Sequence, residues 1–91
     1  MDFSEALVDL KNGAKIGRVG WNAGGQFVAL SPGFILPPDR VFSEPIRAAI
    51  VASGQDGVFR PYLMLHTADG SFVPWAPTVS DVLAEDWIVE E

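Results

Sequence analysis

The 91-residue chain has no cysteine, a single histidine and no apolar run that approaches the length of a membrane span. Without cysteine there are no disulfide bonds and no thiolate metal ligands, and the composition agrees with a reducing cytosol. A spanning helix needs about 20 consecutive apolar residues, so no membrane-spanning helix is expected. The first residues are acidic and lack the basic start of a signal peptide. We therefore expect a cytoplasmic protein.

Basic residues are also scarce, because 6 Lys and Arg stand against 12 Asp and Glu and give a net charge of −6. A nucleic-acid groove needs a basic face, and an anionic membrane surface attracts basic helices. Neither nucleic acid nor membrane is therefore expected as a partner. A small anionic ligand is still compatible, since a few backbone N–H groups and one arginine can hold a phosphate.

Apolar residues, in contrast, make up 48% of the chain. The length predicts one domain over residues 1–91, and a domain of this size buries about 60–65% of the surface that its unfolded chain exposes. Its interior is small for so many apolar side chains. The composition therefore predicts a homo-oligomer, in which contacts between copies bury the excess.

The spacing of Phe3, Ala6, Leu7 and Leu10 predicts an N-terminal helix over 3–10, with Asp2 and Glu5 forming its capping box. Residues 43–52 fit both a helix and a strand, and Thr78 with Asp81 predicts the start of a short helix. Strands are predicted over 15–19, 26–30, 62–66, 71–75 and 87–89, with 31–38 and 54–57 as irregular connections. This order predicts an α+β fold in which a small antiparallel β-sheet carries the N-terminal helix and short helices on one side.

Aromatic residues lie beside the predicted turns. Trp21 precedes Gly24 and Gly25, and Trp75 ends the strand that follows the turn at 68–70. A large ring beside glycine offers a flat face for a base or a sugar. Core packing is the alternative interpretation of Trp21, and the indole N–H favours half-buried positions for all three tryptophans.

Catalytic patterns are weak. His66 lies in a predicted strand without a Gly-x-Ser-x-Gly elbow elsewhere in the sequence, and an ordinary strand position is the simpler interpretation. Asp81, Glu85 and Asp86 form an acidic group that resembles a divalent-metal cluster, but such a group is more often a solvated acidic end. We therefore expect no catalysis, no metal and no cofactor.

Three blocks of the sequence resemble a known family. They are 1–7 with Gly13, Lys15 and 18–22; then Thr67-Ala68-Asp69-Gly70-Ser71-Phe72-Val73-Pro74-Trp75; and then 81–87. In order and spacing they are similar to the small phage-encoded Thoeris anti-defence proteins of the second type. The Ser-Gln pair usual before the Asp of the last helix is Val79-Ser80 here, and the Met usual after it is Val82.

The resemblance implies a sponge, a protein that binds a cyclic ADP-ribose isomer made by TIR-domain defence enzymes, or a cyclic oligonucleotide, and holds it without cleavage. It also implies a homotetramer with ligand pockets at subunit interfaces. Two alternatives stay open. One is a protein–protein interaction module that inhibits a host protein through its acidic surface, and the other is a small cyclic-nucleotide hydrolase.

Candidate roles follow from side-chain chemistry at positions in the matched blocks. Trp21 or Trp75 would stack on a base. Phosphate would contact Arg18 and backbone N–H groups of Gly24 and Gly25 or of Asp69 and Gly70. Ribose hydroxyls would contact Asn22, Thr67 and Asp69, and Asp81 completes the set through its place in the closing block.

Overall fold

The computed structural model describes residues 1–21 and 24–90, which form two compact units. The sheet unit comprises residues 1–31 and 62–91, and the central unit comprises residues 32–61. In chain order the elements are α1 (Phe3–Lys11), β1 (Lys15–Arg18), β2 (Phe27–Ser31), β3 (Phe34–Leu36), a 3-10 turn (Pro38–Arg40), α2 (Glu44–Ser53), β4 (Gly57–Phe59), β5 (Tyr62–His66), β6 (Phe72–Pro74), α3 (Val79–Leu83) and β7 (Trp87–Glu90).

The sheet unit is built on a five-stranded sheet with the strand order β6-β5-β2-β1-β7. Every neighbouring pair is antiparallel, and Arg18 pairs with Trp87 while Phe27 pairs with His66. His66 also pairs with Phe72 on the other side of β5. This register brings the end of β1, the start of β2, the end of β5 and the start of β7 to the same end of the sheet.

The core of the sheet unit lies between α1 and one face of the sheet. Its fully buried side chains are Ala6 and Leu10 from α1, Ile16 from β1, Val28 from β2 and Trp87 from β7. The helix begins where expected, because Asp2 accepts a hydrogen bond from the Glu5 amide while the Glu5 carboxylate accepts one from the Asp2 amide. The i, i+4 spacing of Ala6 and Leu10 then directs both side chains toward the sheet.

The first residue covers part of the outer edge of β7. The Met1 amino group donates to the Trp87 carbonyl at 2.9 Å, and the Trp87 amide donates to the Met1 carbonyl at 3.1 Å. This reciprocal pair satisfies backbone groups of an edge strand that would otherwise face water. It also fixes the start of β7, where Trp87 enters the core.

The central unit contains α2 and a short two-stranded sheet of β3 and β4. Its side chains are less buried than those of the sheet unit, with Val41 and Ile50 as its buried apolar residues. Phe34 and Phe59 lie opposite each other in the register, and their rings stack at 4.9 Å. The segment 43–52, which fits both a helix and a strand by sequence, is helical. Pro45 suits the first turn of this helix, and Gly54 takes the left-handed conformation that ends it.

The predicted α+β class with an antiparallel sheet is confirmed, and α1 packs on one face of that sheet. Residues 31–38, which were not expected to hold long regular structure, contain the short strand β3, and the loop predicted over 54–57 ends at Gly57, where the unpredicted strand β4 begins. These strands have only three residues each, too few for an alternating pattern to emerge in the sequence. The single domain over 1–91 stays a prediction. Among the described residues, none of the helices has the length and apolar character that a membrane crossing needs.

Gly33 is predicted to be the least replaceable glycine of the central unit. Its φ is +82°, and a Cβ there would lie 2.5 Å from the Phe59 carbonyl oxygen of the facing strand. Gly54 has a φ of +71° but open space around its missing Cβ. A left-handed non-glycine residue costs about 1–2 kcal/mol, so Gly54→Ala should lower the free energy of unfolding by that amount.

Gly33→Ala should cost clearly more, because the same strain is joined by a clash with backbone. Urea unfolding of both variants measures the difference. Equal losses would show that the close approach of Gly33 to Phe59 does not exist in solution.

Candidate functional site

Trp87 is the centre of an aromatic group that contains both predicted stacking residues. The Trp21 and Trp75 rings meet the Trp87 ring edge-on, at centroid distances of 5.7 and 6.1 Å. Phe3 of α1 lies 5.4 Å from the same ring. Trp87 itself is fully buried, whereas Trp21 and Trp75 are half-buried. Both therefore combine core contact with an accessible surface, and we call these four residues the tryptophan cluster.

Arg18 lies beside the tryptophan cluster and joins three segments of the sheet unit. Its Nε donates to Asp86 Oδ1 at 2.9 Å, and its Nη1 donates to Asp81 Oδ1 at 3.1 Å. The guanidinium carbon lies 5.9 Å from the centroid of the Trp87 ring, within the range of a cation–π contact. Arg18 of β1 thus ties α3 and the residue before β7 to the sheet.

Asp81 connects this ion pair to the capping of α3. Its second oxygen, Oδ2, accepts hydrogen bonds from the Thr78 amide and hydroxyl, each at 2.9 Å. The Asp81 backbone carbonyl accepts the Trp87 indole N–H at 2.8 Å. A short helix of five residues is therefore held in place by its cap, by Arg18 and by the buried tryptophan.

The contacts among Arg18, Asp81 and Asp86 shift the pKa values of all three side chains. The hydrogen bond to Asp86 raises the pKa of Arg18, and the same bond lowers the pKa of the Asp86 carboxyl. Burial alone would raise the pKa of Asp81, but hydrogen bonds from Thr78 and Arg18 outweigh it and hold that pKa below its usual value. The group is therefore arranged to stay ionised at neutral pH.

A second group of predicted residues occupies the turns at the same end of the sheet. The His66 ring donates from Nδ1 to the Gly25 carbonyl at 2.7 Å, which links the β1–β2 connection to the end of β5. Thr67 donates its hydroxyl proton to the Asp69 carboxylate, and the Ser71 amide donates to the same Asp69 oxygen at 3.0 Å. These bonds lower the pKa of Asp69 and close the hairpin turn.

The structure therefore sorts the predicted residues into two neighbouring groups. Arg18, Trp21, Trp75 and Asp81 surround Trp87. Gly24, Gly25, Thr67, Asp69 and Gly70 form the turns, where Gly25 and Gly70 take positive φ. Asn22 lies outside the described residues. The binding role of each residue stays a prediction.

Three residues that pack against or pair with the predicted site residues were missed by the sequence-based selection. Trp87 was assigned to a closing strand, Asp86 to an acidic end and Phe3 to a helix face. Trp87 is an aromatic residue at the first position of a strand, and its sequence neighbours do not show whether such a residue lies at the centre of a site or far from it. The pairing of Arg18 with Asp86 spans 68 positions, a separation that local patterns do not capture.

The described part of the candidate site contains one histidine, His66, and several carboxylates. His66 Nδ1 contacts the Gly25 backbone carbonyl and not the carboxylate that orients the histidine of a Ser-His-Asp triad. No three His, Asp or Glu side chains converge within residues 1–21 and 24–90 in a way that would hold a metal ion. What the site offers is ring surface, an ion-pair network and glycine-containing turns.

Comparison with known proteins gives consistent matches over nearly the whole chain. The family model described as Thoeris anti-defense 2-like domain matches residues 1–90, and thus includes the central unit, which the sequence resemblance above did not cover. The protein named Thoeris anti-defense 2 from Bacillus phage SP01 is 37% identical over 89 residues, which span 96% of this chain and 91% of that protein.

The ion pairs of Arg18 predict acid sensitivity. A carboxyl group with a lowered folded pKa stabilises the fold above its unfolded pKa, about 3.9, and this contribution is lost as the pH falls through the folded value. The wild-type melting temperature should therefore fall on acidification below about pH 4.

Arg18→Gln should reduce this fall, because the pKa values of Asp81 and Asp86 then move back up. Asp39→Asn, an exposed change in the central unit, is the control and should retain the wild-type profile. An Arg18→Gln profile parallel to that of the wild type from pH 7 to pH 2 would contradict the ion-pair network.

Proposed function

Because the chain belongs to the family of the Thoeris anti-defense 2-like domain, we propose that it is a phage anti-defence protein that acts as a sponge. It binds a cyclic nucleotide-type immune signal, either a cyclic ADP-ribose isomer or a cyclic oligonucleotide, and holds it without cleavage. The observation that carries the proposal is the pair of half-buried tryptophans, Trp21 and Trp75, anchored edge-on to the buried Trp87.

The aromatic part of the site supports recognition of a base. A ring that is packed against a rigid core on one side loses little freedom when a ligand stacks on its accessible side. Trp21 also lies in the β1–β2 connection, which contains Gly24 and Gly25, where backbone can approach a phosphate closely. Base and phosphate contacts would then come from adjacent residues.

The polar part supports a ligand that carries both phosphate and hydroxyl groups. A guanidinium has five N–H donors, and two of those of Arg18 face Asp81 and Asp86. Donors therefore remain for a phosphate oxygen, in an orientation that the two carboxylates fix. Thr67 and Asp69 carry the hydroxyl and carboxylate oxygens that suit ribose hydroxyls.

The proposal includes a homotetramer whose pockets lie between copies. Its support from this chain is the large apolar surface of the protomer, which includes exposed Val, Ile and Phe side chains in both units. Such surface is unusual for a protein that remains a monomer. A shared pocket would also let two protomers enclose a ligand that the open turns of one protomer contact on one side.

The ligand should be recovered intact. The test is to incubate the protein with a cyclic ADP-ribose isomer, remove free compound, denature the complex and analyse the released molecule by mass spectrometry. The unchanged cyclic compound is expected at one molar equivalent per binding site. Release of a linear product would place the protein among hydrolases, and absence of any retained compound would favour inhibition of a host protein instead.

Trp21→Ala should weaken binding of the cyclic ADP-ribose isomer about 5- to 150-fold, because a stacked base contributes roughly 1–3 kcal/mol. Trp75→Ala, with an almost identical contact to Trp87, tests the alternative stacking residue. Isothermal titration calorimetry of both variants decides which ring carries the base.

Phe3→Ala is the matched control, since Phe3 contacts the same Trp87 ring from α1 and is not a predicted ligand residue. It should lower the melting temperature while the affinity of the folded fraction is kept. If the two tryptophan variants lose stability like Phe3→Ala but keep wild-type affinity, both rings belong to the core and the stacking role is disproved.

A further inference from the structure

His66 is the only histidine of the chain, and its ring lies between phenylalanines of the two neighbouring strands. The Phe27 ring of β2 stacks on the imidazole at a centroid distance of 4.8 Å and an interplanar angle of 19°. The Phe72 ring of β6 meets the same imidazole at 4.9 Å and 56°. Contacts with two rings limit the orientations open to the imidazole, so the directions of its two nitrogens are limited as well.

One of these nitrogens connects two turns at the same end of the sheet. Nδ1 of His66 lies 2.7 Å from the Gly25 carbonyl oxygen, 41 positions away in the sequence. A carbonyl accepts hydrogen bonds and cannot donate one, so Nδ1 carries the proton. His66 also directly precedes Thr67, whose amide donates to the Ser71 carbonyl and closes the β5–β6 turn. The imidazole therefore joins the β1–β2 connection to the β5–β6 turn.

The bond to Gly25 fixes the backbone at a position of unusual freedom. Gly25 has a φ of +84° and follows another glycine, Gly24. Glycine loses more conformational freedom on ordering than any other residue, so one bond at this carbonyl removes many alternatives. Because the trans peptide is planar, the bond also sets the direction of the Gln26 N–H. It therefore orders the backbone where the proposed function places a phosphate.

A nucleotide ligand would contact both turns at once. The proposed function assigns its phosphate to Gly24 and Gly25, and its ribose hydroxyls to Thr67 and Asp69. Phosphate and ribose are covalently joined in a nucleotide, so the two turns must be held at a matching separation. The turns come from distant parts of the chain, and the His66 side chain spans them.

The sheet itself does not need the Nδ1 proton. The backbone of β5 pairs with β2 from Tyr62 to His66 and with β6 from Met64 to His66. The contacts with the two phenylalanine rings use the imidazole ring and not its proton. Loss of the Nδ1 donor alone would therefore release the Gly25 carbonyl and leave the strands paired.

We propose that His66 is a positioning residue of the ligand site and that its Nδ1 bond to Gly25 holds the two turns at the separation a nucleotide needs. The inference rests on the proposed function and adds a residue that acts on affinity through Gly25 without contacting the ligand. Affinity depends on it because turns that are already ordered need not be ordered by the ligand.

His66→Phe tests the bond, because phenylalanine keeps a ring between Phe27 and Phe72 but has no donor. Calorimetric titration with a cyclic ADP-ribose isomer should show binding about 2- to 10-fold weaker than that of the wild type, the loss expected for one hydrogen bond. The melting temperature should stay close to that of the wild type. Wild-type affinity in His66→Phe would overturn the positioning role.

Two amide variants distinguish positioning from direct contact with the ligand. The side-chain NH₂ of asparagine reaches about as far as Nδ1 of histidine, and that of glutamine reaches about as far as Nε2. Both variants lose the aromatic ring, but His66→Asn should bind the cyclic ADP-ribose isomer more tightly than His66→Gln. The reverse order would show that Nε2 contacts the ligand and would overturn the proposal. Equal affinities would also overturn it, because a merely structural role affects both variants alike.

Nitrogen NMR tests the bond without ligand. The tautomer of a neutral imidazole is set by its hydrogen bonds; in water the proton lies mainly on Nε2, whereas the bond to Gly25 requires it on Nδ1. Because the chain has one histidine, a long-range proton–nitrogen correlation spectrum at alkaline pH reports this ring alone. The Nδ1–H tautomer is expected. The Nε2–H tautomer would overturn the proposal even if ligand binds.

The outcomes separate this inference from the proposed function. A wild type that binds the cyclic compound equally well after His66→Phe overturns the positioning role and leaves the sponge in place. A wild type that binds neither a cyclic ADP-ribose isomer nor a cyclic dinucleotide overturns the sponge and the role of His66 in it, while the Nδ1–H tautomer then shows that the bond serves the fold alone.

Discussion

The structure of the sheet unit depends on the hydrogen bond that one buried tryptophan makes. Trp87 carries a large apolar ring and an N–H group that must find a partner inside the protein. The Asp81 carbonyl provides that partner at 2.8 Å, and the Arg18 ion pairs hold Asp81 where it can do so. The core, the last helix and the start of the last strand are thus joined by one set of interactions. A change in any of them would alter the accessible tryptophans on either side.

This arrangement links stability to recognition. Trp21 and Trp75 contact the buried Trp87 ring and are themselves half-buried, so part of each ring stays accessible. A binding surface supported by a rigid core is organised before the ligand arrives. The proposed sponge would gain from this property, because its role would be to hold a ligand tightly without assisting any bond to break.

Much of the sheet unit was predictable from sequence. Local signals predicted two helix starts and one turn, and all three formed as the spacing indicated. They are the capping boxes of Asp2 with Glu5 and of Thr78 with Asp81, and the turn before Ser71. The position of Trp21 beside the glycines also predicted its place at the edge of the candidate site. Trp87 and Asp86 were missed because their roles arise from pairing with β1 across the sequence. β3 and β4 were missed because three-residue strands depend on tertiary contacts, here the approach of Gly33 to Phe59.

Tryptophan fluorescence offers the most direct test that ligand binds at the tryptophan cluster, since all three tryptophans of the chain belong to it. A cyclic ADP-ribose isomer should change the emission intensity in a saturable manner, with the same midpoint as calorimetric titration. The change should be largely lost in Trp21→Ala or Trp75→Ala, whichever residue stacks on the base. Binding that is evident by calorimetry but leaves the emission of the wild type unchanged would contradict a ligand site at the tryptophan cluster.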